Sequence, residues 1–542
     1  MQPTKAPAKQ LRHENAMKHR PITCAARLGT LAAAASLLVG CAVGPEYIRP
    51  ALPPSGGYSA APLPAATASA AVMGGAAQRF ALEGAIRADW WALFQSPTLN
   101  KFIAEAFVVN PSIESAQAAL RVAQENVNAQ QGLFFPTVKA GYSPSRTKLA
   151  GNLGGNSPGI QGDGSVISTY QGTPADNGGT APFSGPVIYN FHTAQLTVGF
   201  VPDVFGSNRR QVQSLQAQAE AQRFQLEATF ITLASNIVAA AVQDAALRRQ
   251  IDTAKQIIDA SLTAVELAQQ QLKAGYVSRL DLANQESALA QARALLPPLR
   301  KQFEQNRDLL RALAGATQDT MVPAFDLDAL VLPQELPLSL PSQLVEQRPD
   351  VRAAEAQLQA ASAQIGVARA ARLPQFSIDA TAGGGASSFS QMFSNSGRFF
   401  NLALGITQPI FDAGTLQHRE RAADEALRQA AAQYRFTVIT SFQNVADTLQ
   451  AIHADAQALE AATQVSGAAS AALELTRRQH ARGYLDRLAL IAAEQSYRQA
   501  QLNLAQAQAS RLGDTAALFQ ALGGGWWNRS AGDAAEAQAA LR

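Results

Sequence analysis

The sequence predicts a mainly α-helical protein with a β-barrel portion, built as two repeats of long helical hairpins plus four β-strands. Three observations carry that prediction. The chain is written twice, it holds very long stretches poor in Pro and Gly, and it holds segments of strict apolar–polar alternation.

The repeat comes first because it sets the boundaries. Asn110-Pro111-Ser112-Ile113, with Leu120 and Pro136, recurs as Arg348-Pro349-Asp350-Val351, with Leu358 and Pro374, at a constant offset of 238 positions. Further on, Gly275-Tyr276, Leu280, Glu286 and Gly315 recur as Gly483-Tyr484, Leu488, Glu494 and Gly523 at an offset of 208. The offset changes because the first copy carries a Gly-, Ser-, Asn- and Pro-rich stretch from Ser143 to Pro186, expected as an exposed, mobile loop. The first repeat therefore spans 99–335 and the second 336–525, leaving 526–542 as a C-terminal tail.

Each repeat opens with a helix, about 99–134 and 342–372, ending at Pro136 or Pro374. Alternating segments follow. Phe376, Ile378 and Ala380 interleave with Ser377, Asp379 and Thr381, and Phe400, Leu402, Leu404 and Ile406 interleave with polar or small residues. Val138, Ala140 and Tyr142 continue the scheme, as do Leu196, Val198 and Phe200. Period two with one apolar face fits a half-buried sheet or a barrel wall with a wet lumen. The strands are expected at about 137–143, 188–201, 375–382 and 398–410.

The helices give a length argument. Ser207 to Ala274 is 68 residues without Pro or Gly, and Thr415 to Arg482 is another 68 with Gly467 as its only Gly. At 1.5 Å per residue each spans about 100 Å. The return helices, Arg279–Ala314 and Arg487–Leu522, are about half as long, with Pro297-Pro298 expected to break the first of them midway. The helices before the strands are also half-length. Two half-length helices stacked end to end would match one long one, so each chain offers four columns and four strands. Four strands cannot close a barrel, and open strand edges are intolerable in lipid. The chain must oligomerise; three copies would give twelve strands and twelve columns.

Composition narrows the function. Only 16% of residues are charged and the net charge is +3, which argues against nucleic acid as a partner. Alanine makes up about a fifth of the chain, as suits helices in close approach. Both cysteines, Cys24 and Cys41, lie near the start, so the body has no disulfide, thiolate nucleophile or Cys-based metal site. His418, His453 and His480 are too far apart to chelate together, and the five methionines do not cluster. The glycine runs at 383–385 and 523–525 lack the Lys-Ser/Thr of a phosphate loop. No catalytic residue, metal site or cofactor is expected, and the chain does not read as an enzyme.

The N-terminus reads as an address. Lys18, His19, Arg20 and Arg27 precede an apolar stretch from Leu28 to Val39, a secretory signal over 1–40 too short to span a bilayer. Met17 offers an alternative start. After residue 41 there is no run of 18 or more apolar residues, so no transmembrane helix is expected; a closed barrel remains open as a route into lipid. Leu38-Val39-Gly40-Cys41 resembles a bacterial lipobox, which implies acylation at Cys41 and an extended lipidated segment over 41–98. Ala42 after the cysteine favours, by the same resemblance, the outer membrane.

Cys41-Ala42-Val43-Gly44-Pro45-Glu46-Tyr47, Asp89-Trp90-Trp91-Ala92-Leu93-Phe94, Gln347-Arg348-Pro349-Asp350-Val351, Gln408-Pro409-Ile410-Phe411-Asp412-Ala413-Gly414 and Ala521-Leu522-Gly523-Gly524-Gly525-Trp526 occur in that order. Together they resemble the outer-membrane factor family of TolC-like channels, in its NodT/OprM-like lipoprotein branch. The resemblance implies a homotrimer with a twelve-stranded β-barrel in the outer membrane and a twelve-column α-barrel in the periplasm. It implies outer-membrane lipid around the barrel, a periplasmic adaptor (membrane fusion protein) and an inner-membrane transporter of the resistance-nodulation-division (RND) type as partners. The implied function is a passive exit duct for small molecules and drugs in a tripartite efflux pump. Export of heavy metals or of protein by a type I system, or a structural periplasmic coiled-coil lipoprotein, are the alternatives.

The turns Gly275-Tyr276-Val277-Ser278 and Gly483-Tyr484-Leu485-Asp486 reverse the long helices. By resemblance these tips form the closed periplasmic aperture and the adaptor-docking surface. Leu488 matches a gating leucine, while the family's acidic positions fall on Ala489 and Ala492. Asp281 and Asp486 remain nearby, with Arg279 and Arg487 as candidate ion-pair partners at the gate.

Overall fold

A computed structural model describes residues 42–51, 57–58, 64–82, 84–148, 157–160, 166–169, 188–317 and 321–529. The signal segment, Cys41 and residues 530–542 lie outside them. Along the chain the elements are β1 (Arg79–Leu82), α1 (Pro97–Val109), α2 (Pro111–Gln131), β2 (Thr137–Lys148), β3 (Ser157–Ile160), β4 (Val166–Thr169), β5 (Ile188–Phe200), α3 (Ser207–Lys273) and α4 (Arg279–Leu313). They continue with β6 (Glu335–Leu338), α5 (Pro341–Gln347), α6 (Pro349–Ala370), β7 (Gln375–Ala386), β8 (Arg398–Thr407), α7 (Thr415–Ala481) and α8 (Arg487–Ala521). Two compact units result: one takes Leu133–Arg210, Gly366–Leu416 and the segment through Gly44, the other takes the rest.

The first unit is an antiparallel sheet in the order β2-β5-β7-β8. Its register settles which residues share a face. Val138, Val198, Ala380 and Leu402 lie on one rung, and Ala140, Leu196, Ala382 and Phe400 on the next of the same face. The opposite face carries Lys139, Thr197, Thr381 and Asn401 on one such rung. The apolar face is bare: Phe400, Leu402, Leu404 and Ile406 are 85%, 69%, 78% and 69% exposed. Among the described residues, β2 and β8 each pair on one side only, so both sheet edges are open there.

Both long helices leave this unit from an aspartate. Asp203 accepts from the backbone N–H of Asn208 and Arg209 at 2.9 and 2.8 Å, and Asp412 from those of Gly414 and Leu416 at 2.9 and 2.8 Å. These carboxylates satisfy orphan donors at the positive end of the helix dipole.

The second unit is helical around one large core. Trp90, fully buried, stacks on Phe519 at 5.2 Å and 10°, and Ile103, Ile237, Val238 and Leu449 belong to the same buried cluster. Among the described residues one helix, α3, carries a stretch long and apolar enough to cross a bilayer, but 72% of that stretch is buried against its own protein. It is a core helix.

The joint between half-length helices shows the repeat in atomic detail. Asn110 caps α2 by accepting from Ser112 N–H at 2.8 Å, and its Nδ2 donates to the carbonyl of Leu313, the last residue of α4, at 2.7 Å. In the second repeat Arg348 Nη1 donates to the carbonyl of Ala521, the last residue of α8, at 2.9 Å. Asp350 holds that guanidinium at 3.0 and 2.6 Å. Gly315 and Gly523 complete the joints with φ of +68° and +91°; a Cβ would lie 2.7 Å from Val109 O in the first and 3.0 Å from Gln347 O in the second. Half-length helices thus meet at their ends, with no room for a side chain between.

Several expectations are corrected. The opening helices are each two helices, split at Asn110 and Arg348, because the proline that follows excludes the α conformation from the residue before it. Pro297-Pro298 does not break α4: the helix runs from Arg279 to Leu313 through both. Both prolines are exposed, so the carbonyls they leave unpaired meet water. The stretch from Ser143 is not all loop. β2 continues to Lys148 because β5 continues opposite it, and β3 pairs with β4 beyond. β7 likewise extends to Ala386, whereas β8 ends at Thr407, just before Gln408 and the donor-less Pro409. The parallel pair β1–β6 had no signal in the pattern, being only four residues each. Trp526–Asn528, at the start of the expected tail, forms a 3-10 turn tied down by Trp526 Nε1 to Gln347 O at 2.7 Å and Asn528 Nδ2 to Ile86 O at 2.7 Å.

The joint predicts its own test. Asn110→Ala removes the cap of α2 and the partner of the Leu313 carbonyl together, at about 1–3 kcal/mol. Thermal unfolding in detergent should show a lower midpoint than for Asn128→Ala, an exposed change on the same helix expected within about 0.5 kcal/mol of the parent. Equal midpoints would remove the joint from the list of stabilising features.

Candidate functional site: hairpin tips and the anchor seat

The two tips reverse by the same device. Gly275 and Gly483 have φ of +79° and +77°, the left-handed geometry that glycine adopts without strain. Tyr276 N–H bonds back to Gln271 O at 2.9 Å and Tyr484 N–H to Gln479 O at 3.0 Å, while each glycine N–H bonds three residues back. These are Schellman closures. Tyr276 and Tyr484 stand 82% and 76% exposed, two large aromatic rings without cover.

The return helices start differently. Ser278 caps α4: its Oγ accepts from Asp281 N–H at 3.1 Å, and Asp281 Oδ2 accepts from Ser278 N–H at 2.8 Å. The bond from the Ser278 hydroxyl, at 2.7 Å, and that from its N–H hold the Asp281 carboxyl below the usual range. In α8 the cap is Asp486 itself, accepting from Ala489 N–H at 2.9 Å, with no acid three residues on to close the box. The Leu485 carbonyl lies 3.0 Å from His480 Nδ1. Leu488 is half-buried, whereas its repeat partner Leu280 is 71% exposed.

Both aspartates are therefore occupied in capping. Neither Arg279 nor Arg487 makes an ion pair among the described residues, so the expected pairing with Asp281 and Asp486 does not form in the single chain. Arg477 and Glu494 pair instead across the second hairpin at 3.3 Å. That pair was not singled out from the sequence, although Glu494 belongs to the repeat.

Cys41 lies outside the described residues, but the segment after it is firmly seated on the first unit. Val43 N–H bonds to Phe205 O at 3.1 Å. The buried Arg210 donates to the carbonyls of Ala42, Val43 and Gly44 at 3.4, 3.2 and 3.4 Å. Gly44 adopts φ +116°, and a Cβ there would come within 2.5 Å of Gly366 Cα; one on Gly206 would come within 2.7 Å of Ala42. Two glycines of the sheet unit make the seat and one arginine closes it. Nothing in the local pattern around Arg210 marks it, since its partners lie 166–168 positions away.

A buried polar cluster in the helical unit was also illegible. Arg511 is fully buried and donates to Thr67 Oγ1 and Ala76 O at 2.9 and 2.8 Å, fastening the N-terminal segment to α8. Burial lowers its pKa, and Asp455 acts against that shift. Burial pushes the Asp455 carboxyl up to about 7, helped by Asp514 and opposed by Arg511. No group of three or more His, Cys, Asp or Glu able to hold a metal occurs among the described residues.

Comparison with known proteins places this geometry in context. The family model described as outer membrane efflux protein matches residues 102–316 and 340–524, one segment in each repeat. The chain is 27% identical over 437 residues to the pyoverdine export outer membrane protein OpmQ of Pseudomonas putida, covering 81% of this chain and 88% of that one. It is 26% identical over 501 residues to the solvent efflux pump outer membrane protein SrpC of Pseudomonas putida, covering 90% and 96%. Among solved structures, the outer-membrane channel OprN superposes with a TM-score of 0.72 at 26% identity, over 90% of this chain and 100% of that one. The Campylobacter jejuni CmeC outer membrane channel gives 0.74 at 17% identity, over 93% and 98%, and shares the fold.

The Asp455 carboxyl carries a pH prediction. Folding raises its pKa above the unfolded value of about 3.9, so its contribution is complete below about pH 3.9 and is lost as pH rises through about 7. Asp455→Asn should raise the thermal midpoint relative to the parent at pH 8, with the difference shrinking toward pH 5. A difference that does not change with pH would contradict the shift.

Proposed function

The chain belongs to the outer membrane efflux protein family and is the outer-membrane channel component of an efflux pump; from that premise we propose that it acts as a passive exit duct formed by three copies. The observation that carries this reading is the four-stranded sheet with one bare apolar face and two unpaired edges. In lipid each unpaired backbone group costs several kcal/mol, and closure is the remedy open to a sheet. Pairing β8 of one copy with β2 of the next would close twelve strands with the apolar face outward, toward lipid, and the polar face lining a wet lumen.

In the same reading the helices of three copies make the twelve-column periplasmic tube. The exposed Tyr276 and Tyr484 rings, with Val277, Ser278 and Leu485 beside them, form the docking surface for a periplasmic adaptor. The adaptor joins the duct to an inner-membrane RND transporter. Cys41 carries the acyl chains, and Arg210 holds the adjoining residues against the barrel unit. The exported compounds are small molecules, the class named for the pyoverdine and solvent relatives. Three copies of Leu488, converging at the mouth, would form a dewetted constriction. Asp281 and Asp486, bound up in caps, set helix starts there, while Arg279 and Arg487 supply positive charge to the rim.

Native mass spectrometry of detergent-solubilised protein should give a trimer whose subunits begin at a diacylglyceryl-modified Cys41. A stable folded monomer would overturn the shared barrel, and an unmodified start elsewhere would overturn the anchor. In planar bilayers Leu488→Asp should raise single-channel conductance several-fold, and Leu280→Asp should do less. Parental conductance in both, with the trimer intact, would move the seal away from Leu488.

A further inference from the structure

The outer end of the sheet, opposite the ends from which the chain enters its long helices, has a chemistry that the duct does not use. On the apolar face of β2 the residues run Val138, Ala140, Tyr142, Pro144, Arg146, Lys148. The face therefore changes from apolar to aromatic to basic along a single strand.

The aromatic layer is built, not scattered. Tyr142 Oη lies 2.9 Å from His192 Nδ1, the two rings stack at 6.2 Å and 14°, and Phe389 meets Tyr142 edge-on at 5.8 Å. Amphipathic rings of this kind mark the boundary between hydrocarbon and headgroups. Arg146 lies four residues beyond Tyr142, about 13 Å along the strand. On the other edge strand, Arg398 shares the rung of Tyr142 through Gly384 and Ala194. Its Nε donates to Phe393 O at 3.2 Å, and its two terminal nitrogens make no hydrogen bond among the described residues.

No acid balances these three cations among the described residues of the unit. Its described carboxylates are Asp203 and Asp412, which cap the helices at the far end, and Asp379, which shares the opposite face with Lys139. In the shared-barrel reading, on which this inference rests, β8 and β2 are the strands that meet at each seam. Every seam then sets the β8 edge that carries Arg398 in one copy against the β2 edge that carries Arg146 and Lys148 in the next, with all three cations on the lipid-facing side.

We propose that each seam is a binding site for a phosphorylated glycolipid of the outer leaflet, with Arg146, Lys148 and Arg398 holding its phosphates and the Tyr142–His192–Phe389 layer seating its sugar–acyl boundary. Guanidinium and ammonium groups bind phosphate through charge-assisted hydrogen bonds. Three of them held apart along two strands suit a headgroup carrying two phosphates better than one carrying a single phosphodiester. The site would fasten an ordered lipid across the one part of the barrel wall that is not covalently continuous.

The test uses the full-length protein in detergent, titrated with bis-phosphorylated lipid A, its dephosphorylated form and phosphatidylglycerol, and read by native mass spectrometry. The parent should retain bis-phosphorylated lipid A at least tenfold more tightly than either of the others. Combining Arg146→Ala, Lys148→Ala and Arg398→Ala should abolish that preference while the trimer and its conductance persist, and Lys139→Ala should leave it unchanged. An intact trimer binding all three lipids alike, or a triple variant that binds like the parent, would overturn the site alone. A monomer would overturn the shared barrel and the seam site with it.

Discussion

The end-to-end joint of half-length helices is the constraint on which the helical unit depends. A 35-residue return helix cannot match a 67-residue partner unless a second helix completes the column. Completion leaves one helix's last carbonyls facing the next helix's first N–H groups, all of them wanting partners away from bulk water. Asn110 resolves this by serving both ends at once, as acceptor to Ser112 and donor to Leu313. Arg348 meets the same need with a different side chain, a guanidinium held in place by Asp350. Two unlike residues at equivalent positions show that the geometry is conserved between the repeats, whereas the chemistry that satisfies it is not.

The sheet unit is unfinished in a complementary way. Among the described residues its backbone hydrogen bonds stop at β2 and β8, and none covers its apolar face. Both deficits are of the kind that a bilayer and further copies of the chain supply. The helical unit, by contrast, buries Trp90, Phe94 and Phe519 completely within one chain. Anchoring segments reinforce each unit separately: residues 42–44 are held under Arg210, and residues 67–78 under Arg511.

What the sequence disclosed and what it withheld divide along physical lines. The strands were legible where side chains alternate, as in Phe400 to Ile406, and illegible where only the backbone continues them, as from Ser143 to Lys148. Both long helices and their Gly-Tyr reversals were legible because Gly and Pro punctuate them. The breaks at Asn110 and Arg348 were passed over, although Pro111 and Pro349 carried the signal. Conversely, Pro297-Pro298 signalled a break that solvent exposure makes unnecessary. Of the site, the tip residues could be placed in advance. Arg210 and Arg511 could not, since each is defined by acceptors far along the chain, 166–168 positions away for Arg210 and 435 and 444 for Arg511, and those leave no local trace.

The unlike starts of the two return helices have a mechanical consequence. In the first hairpin Ser278 and Asp281 lock each other, so the opening turn of α4 is fastened from both sides. In the second, Asp486 holds Ala489 with nothing reciprocating, and Ala492, one turn further on, is equally unable to help. The first hairpin is thus fastened within the opening turn of its return helix, whereas the second is held by ties across the turn, from Arg477 to Glu494 and from His480 to Leu485.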